Sequence, residues 1–307
     1  MTKKIKYLIV LNVVLLGAIS FSLKTKAPTS SLNTLDTQFA LADSASVNRI
    51  VLGKNTFTKQ ESGAWRINDS YAVDDRRMVD LLTILQRIGI KRPASDADKA
   101  AVQAAITQEG LMAQFSDESG EQAREFKMVE RNGETFAILG SADPYIIHTP
   151  GVDINLAEWL TAPEATWRDR RVIYTTWRTL KKLEVKYWND TNNSFQISFD
   201  NNFYNVSGVD KLDSTAVYDY LVQFQEFRAA NFVVNRPQLA DSLTQKAPLC
   251  TITVEDLYED RNNSLLIYPT EEEIIYGVLA KNKEVVQLAP RVLQSVMVGR
   301  DRFRKKE

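Results

Sequence analysis

The stretch Val73-Asp74-Asp75-Arg76-Arg77-Met78-Val79-Asp80-Leu81-Leu82-Thr83-Ile84-Leu85-Gln86-Arg87-Ile88 decides how this chain is built, because its pattern occurs twice. The second occurrence is Leu212-Asp213-Ser214-Thr215-Ala216-Val217-Tyr218-Asp219-Tyr220-Leu221-Val222-Gln223-Phe224-Gln225-Glu226-Phe227. In each, an aspartate suited to cap a helix precedes an apolar stripe. The stripe is Met78, Leu81, Leu82, Leu85 and Ile88 in the first, and Val217, Tyr220, Leu221, Phe224 and Phe227 in the second. Such spacing lies on one face of a 3.6-residue period and predicts a helix with one buried side. Two further matches share a common offset. Ile154-Asn155-Leu156-Ala157 recurs as Val286-Gln287-Leu288-Ala289, and Trp167-Arg168-Asp169-Arg170 as Gly299-Arg300-Asp301-Arg302. The chain therefore reads as one unit built twice, and a feature present in both copies points to architecture rather than to an active site.

Working outward, residues 38–41, Val47–Leu52 and Trp65–Ile67 read as strands in the first copy. Residues 180–188, 194–199 and Phe203–Val206 read as strands in the second. Asp96–Glu109 reads as a second helix, with Gly110 at its C-terminal stop, whereas the second copy keeps only residues 238–245 after Pro237. Arg131-Asn132-Gly133-Glu134 is a hairpin signal, and Lys281-Asn282-Lys283-Glu284 takes the corresponding place. In Leu249-Cys250-Thr251-Ile252-Thr253-Val254-Glu255 the even positions are apolar, which predicts a half-buried strand with Cys250 in the core. The expected fold is α+β: two tandem copies of a mainly antiparallel sheet with covering helices, behind an N-terminal transmembrane helix. The divisions expected are 1–26 as cytoplasmic tip and anchor, 27–37 as linker, 38–174 as the first repeat and 175–307 as the second.

The anchor rests on residues 7–23, an uncharged apolar run flanked by lysines. As a helix it reaches about 25 Å, near the short end of what spans a bilayer. Lysines before it place the N-terminus inside, leaving the rest on the far side of the inner membrane, in the periplasm. A cleaved signal peptide is the alternative, with small residues at Ser20-Phe21-Ser22. Residues 1–26 hold five lysines and no acid, so the remainder of a chain with net charge −1 stands at −6. A mildly acidic body does not predict nucleic-acid binding. The basic end from Arg300 to Lys306 is the local exception and reads as solvated, with a contact to a phosphate or acidic partner as the alternative.

One cysteine and one histidine exclude an internal disulfide and any zinc site needing several such ligands. His148, in Pro144-Tyr145-Ile146-Ile147-His148-Thr149-Pro150-Gly151, has no nucleophile elbow in the chain to serve and no counterpart in residues 274–279. It reads either as a hydrogen-bonded strand-edge residue or as a contact to a ligand or partner. With it, Tyr145, Trp167, Arg168 and Arg170 are the candidate contact residues. Asp169 with Arg300, Asp301 and Arg302 are candidates for a structural latch, since guanidinium forks can tie a strand end to neighbouring carbonyls or carboxylates. Trp159 and Trp177 are expected to pack beside Trp167. Adjacent acids at Asp74-Asp75, Glu255-Asp256, Glu259-Asp260 and Glu271-Glu272-Glu273 are too frequent among 39 carboxylates to mark a glycosidase pair. No glycine-rich phosphate loop, metal site or cofactor site is predicted.

The order Phe39-Ala40-Leu41-Ala42-Asp43, Val47-Asn48-Arg49-Ile50, Trp65-Arg66-Ile67-Asn68, the block 144–151 and Trp167-Arg168-Asp169-Arg170 resembles the Bacteroidetes branch of a bacterial family, domain of unknown function 4340. The resemblance runs from about residue 36 onward and implies an envelope location. It carries no activity, and implies a link to ABC-type export or gliding-motility systems. The expected function is a non-enzymatic, single-pass interaction or scaffold module that contacts another envelope protein. A tethered binding module for a glycan or small ligand, on the face near Tyr145, His148 and Trp167, is the alternative. A carboxylate-based hydrolase stands third.

Overall fold

A computed structural model describes residues 39–41, 43–117, 122–140, 142–270 and 274–306. The expected anchor at 7–23 and linker at 27–37 lie outside the described residues. Among those described, no helix is long and apolar enough to cross a membrane. The fold is α+β, with antiparallel sheets and a few helices, and the chain divides into two compact units that meet between Trp167 and Arg168.

In the first unit, β1 (Val47–Leu52), β2 (Asn55–Lys59), β3 (Trp65–Ile67) and β4 (Tyr71–Ala72) form a meander. Helix α1 (Asp75–Gln86) follows, then β5 (Gly89–Pro93) and helix α2 (Asp96–Glu109). Strands β6 (Leu111–Asp117), β7 (Gln122–Arg131), β8 (Glu134–Ile138) and β9 (Tyr145–His148) run as a second meander. Short helices α3 (Leu156–Leu160) and α4 (Glu164–Trp167) close the unit. The nine-stranded sheet is ordered β4-β3-β2-β1-β6-β7-β8-β9-β5.

In the second unit the strands are β10 (Arg171–Ile173), β11 (Leu180–Tyr187), β12 (Phe195–Asp200), β13 (Phe203–Val206), β14 (Phe227–Arg228), β15 (Asn231–Phe232), β16 (Cys250–Asp256), β17 (Asn263–Pro269), β18 (Ile275–Leu279) and β19 (Val285–Leu288). Its helices are α5 (Ser214–Val222), α6 (Leu239–Thr244) and α7 (Pro290–Val296). The eight-stranded sheet is ordered β13-β12-β11-β16-β17-β18-β19-β15. Apart from the added edge strand β4, this is the first unit's order strand for strand. Helix α5 stands where α1 does, and α6 where α2 does.

The cause is local chemistry repeated in both units. Asp74 accepts the backbone N–H groups of Arg76 and Arg77, and Asp213 those of Thr215 and Ala216, so each caps its helix as expected. Met78, Leu81 and Leu85 of α1 are buried, as are Val217, Tyr220 and Leu221 of α5. Both helices stop earlier than the stripe suggested. Ile88 lies beyond α1, Phe224 falls in a 3-10 turn and Phe227 on β14, although all three are buried. At the β7–β8 hairpin, Asn132 and Gly133 have φ of 54° and 76°, the left-handed pair that matches the twist of antiparallel strands.

Four expectations change. Residues 39–41 form no strand; Phe39 and Leu41 are buried, and the Leu41 N–H bonds to the Leu85 carbonyl at the end of α1. Strand β2 went unread because its alternation, Asn55 and Phe57 inward, starts with a polar residue bonded to the Ala162 carbonyl. Residues 168–174 lie in the second unit rather than ending the first, because β10 pairs with β14. The register of the late matches also shifts. Asn155 caps α3 and Ala289 precedes α7, so the helix starts correspond two residues away from the matched letters. The Asp74 N–H bonds to the Trp167 carbonyl and the Asp213 N–H to the Phe303 carbonyl. Trp167 thus corresponds to Phe303, four residues past Gly299.

Replacing Asp213 with alanine removes the cap of α5 and is expected to cost about 1 kcal/mol, seen as a lower urea midpoint at unchanged slope. Trp167→Ala opens a cavity in the first core and is expected to cost about 3–5 kcal/mol in the same titration. A smaller loss for Trp167→Ala than for Asp213→Ala would contradict this placement.

Candidate functional site

The residues expected to form a contact face are not assembled into one. Tyr145 and His148 sit on β9, where His148 is half-buried opposite Gly89 of β5 and Tyr145 meets the Phe39 ring edge-on. Trp167 is 1% exposed, set edge-on to Phe57 and Trp159 at 5.3 and 5.0 Å, with its indole N–H on the Ala162 carbonyl. A ring enclosed in this way offers no face to a partner, which removes Trp167 from the contact set. Trp159 packs beside it as expected, but Trp177 does not: it lies in the second unit against Tyr218.

Arg168 and Arg170 also turn out to be structural. Arg168 is buried, its guanidinium 3.8 Å over the Phe232 ring and paired with Glu284. Arg170 donates from Nη1 to the Ala230 carbonyl. Asp169 does tie a strand end, through Arg171 and Arg228. In the distant triplet, Arg300 to Phe303 form a 3-10 turn. The Arg300 side chain lies against Gly208, where a Cβ would come within 2.7 Å of Nη1. Asp301 is exposed and pairs only with Arg304 among the described residues, so it latches nothing.

What the sequence reading missed is Asp256. Continuing the alternation of β16 by one even position after Cys250, Ile252 and Val254 reaches it, and it is 1% exposed. Glu255, its neighbour, is exposed and bonds Lys182, so the two acids face opposite sides of the strand and make no catalytic pair. Oδ2 of Asp256 accepts the hydroxyls of Thr175 at 2.6 Å and Thr179 at 2.8 Å, Oδ1 accepts the Tyr258 N–H, and Arg261 lies 3.9 Å away. Burial alone would raise this carboxyl. The donors from Thr175, Tyr258 and Thr179 and the Arg261 charge outweigh burial and hold it below its ordinary value. Asp117 of β6 holds the corresponding register position in the first unit. Cys250 is enclosed in the core, and burial pushes its thiol up to about 12, far from a reactive thiolate.

The chemically open feature is an aromatic rim on the second unit. Trp177, Phe199, Phe203, Tyr218, Leu257 and Tyr258 are all exposed. They converge because β11 and β13 begin, and β12 and β16 end, at one end of the sheet. Buried Tyr204 joins them: its ring meets Phe199 and Phe203 edge-on at 5.4 and 5.8 Å, and its hydroxyl donates to the Trp177 and Leu180 carbonyls. The Trp177 ring meets Tyr218 at 5.9 Å, and the Leu257 N–H bonds the Thr179 carbonyl. Arg261 completes the rim, its guanidinium 4.5 Å from the Tyr174 ring and 4.4 Å from Tyr258. Among the described residues of the first unit the large exposed apolar side chains are Val79 and Val152, and no aromatic is among them. Among the described residues, no group of three or more His, Cys, Asp or Glu side chains is placed to hold a metal ion. No family model matches the chain, and neither does any curated protein or solved structure.

The Asp256 shift carries a pH dependence. A carboxyl depressed in the folded state stabilises above the unfolded pKa of about 3.9, and this contribution is lost as pH falls through the lower folded value. Asp256→Asn is therefore expected to be less stable than the parent at pH 7, with the gap narrowing as pH drops towards 3. Unfolding midpoints across that range provide the check; a constant gap would show that the charge contributes nothing.

Proposed function

We propose that this chain is a non-catalytic interaction module of the bacterial envelope, tethered by residues 7–23, in which two copies of one α+β unit have diverged and the second engages a protein partner. The observation that carries this reading is that, among the described residues, the large exposed aromatic side chains lie in one of two units with the same strand order. Single exposed apolar side chains are ordinary, but a contiguous aromatic group with an arginine at its edge has the composition of an interface centre. A non-catalytic role is supported by the chemistry of the acids. The deeply buried carboxylate, Asp256, spends its oxygens on hydroxyl and backbone donors that hold the start of β11 to the end of β16. The partner is taken to be a membrane or periplasmic protein, and the resemblance noted above favours an export or motility component.

A photo-crosslinking residue placed at Phe199 or Leu257 in the full-length protein in its native membrane is expected to give one dominant adduct. The same residue at Val79, exposed on α1 of the first unit, is expected to give none. Trp177→Ala should reduce the adduct several-fold. Absence of adducts at all three positions, or equal adducts at Val79 and Phe199, would sink the proposal.

A further inference from the structure

In each unit a helix covers the outer face of the second meander, and the two helices differ in length. In the first unit it is α2, with fourteen residues, whose Val102 and Ile106 pack on Val129, Phe136 and Ile138. In the second it is α6, with six, whose Ala240 and Leu243 pack on Tyr268, Tyr276 and Val278. Beside α6 is a cleft of about 640 Å³, roughly twice the 330 Å³ cleft beside α2 and within the ~300–1,000 Å³ of ligand sites. The two clefts also differ in charge. The described lining of the smaller one holds Glu125 and Lys127, one of each sign, whereas that of the larger holds two cations, Arg236 and Lys246, and no acid. Helix length explains why both cations reach one cleft. Arg236 precedes α6 and Lys246 follows it, and six helical residues rise only about 9 Å where fourteen would rise about 21 Å.

We infer that this cleft of the second unit binds a small organic oxyanion, a carboxylate or phosphate carried on an apolar or ring-shaped body. Both cations are exposed, and among the described residues neither side chain is held in an ion pair or a hydrogen bond. The Arg236 guanidinium is a planar fork suited to two oxygens of such a group, and the Lys246 ammonium adds a point charge. Neutral donors line the same cleft: the Asn189 amide and the phenols of Tyr268 and Tyr276. Burial raises the Tyr268 pKa, so that phenol stays protonated and donates to an anion rather than repelling it. The two tyrosine rings, with Leu239 and Leu243 of α6, supply an apolar wall for the body of the ligand. A bare inorganic ion would leave this wall unused, and a neutral ligand would leave both charges unused.

The test is isothermal titration calorimetry on the full-length protein in a neutral detergent without a sugar headgroup. Phenyl phosphate and benzoate serve as organic oxyanions, inorganic phosphate as the bare ion and maltose as the neutral control. At least one organic oxyanion is expected to bind, about tenfold or more tighter than inorganic phosphate, with an affinity that falls as salt rises. The Arg236→Gln/Lys246→Gln double variant should weaken that binding about tenfold or more, the loss of one or two charge-assisted hydrogen bonds. Its urea midpoint should stay that of the parent, because both side chains are exposed. Lys127→Gln, in the cleft of the first unit, should leave binding unchanged, which separates a site from an effect of net charge. None of these residues belongs to the aromatic rim, so a failure here leaves the proposed protein interface standing. Binding of neither organic oxyanion, equal affinity for inorganic phosphate, binding of maltose, undiminished binding in the double variant, or an equal loss in Lys127→Gln would each overturn the inference.

Discussion

Each unit is closed by one backbone hydrogen bond placed at a helix cap. The N–H of Asp74 is held by the carbonyl of Trp167, and the N–H of Asp213 by the carbonyl of Phe303. In both cases the residue supplying the carbonyl is a buried aromatic from the last turn of the unit. The same aspartate side chain then satisfies the free N–H groups of the next helical turn. One residue therefore sets the helix start and ties the end of the unit to it. The aromatic below makes the tie hold: Trp167 is clamped by Phe57 and Trp159, and Phe303 by Phe195 and Tyr220. If the aromatic leaves its core, its carbonyl leaves with it, and the helix loses its fixed position over the sheet.

With this frame common to both units, their differences become informative. The first unit covers its sheet with a long helix over an apolar pair. The second has the short helix, paired tyrosines beneath it, and an aromatic rim that no described element covers. Exposed aromatics leave apolar surface in water, and among the described residues the first unit, with the same topology, has none among its large exposed apolar side chains. Among the described residues, the second unit is the one that leaves large aromatic side chains open to solvent.

Asp256 is the stabilising counterpart to that openness. A carboxylate enclosed where the first strands of the sheet start would destabilise the unit if left alone. Two threonine hydroxyls, a backbone N–H and Arg261 compensate it, and the same arginine reaches the rim tyrosine Tyr258. Core electrostatics and the exposed surface are thus joined through one side chain.

The caps, the helix faces, the Asn132-Gly133 turn and the strand carrying Cys250 were legible in the sequence, because each depends on neighbours within a few residues. The repetition was legible for the same reason, since its strongest signal is a capped amphipathic helix. The late register was not. The letters Arg-Asp-Arg recur, but the structure aligns Trp167 with Phe303, because burial of an aromatic and its carbonyl's hydrogen bond outweigh the identity of the charged letters. The expected contact face failed for a related reason: sequence can place a tryptophan near a motif but not say which core encloses it. Local sequence determined the element types, their capping and the α+β class. Tertiary structure alone decided that Asp256 is buried, that Trp167 is hidden while Trp177 is exposed, and that two tyrosines far from any motif share a cleft, because each depends on which distant strands come to lie side by side.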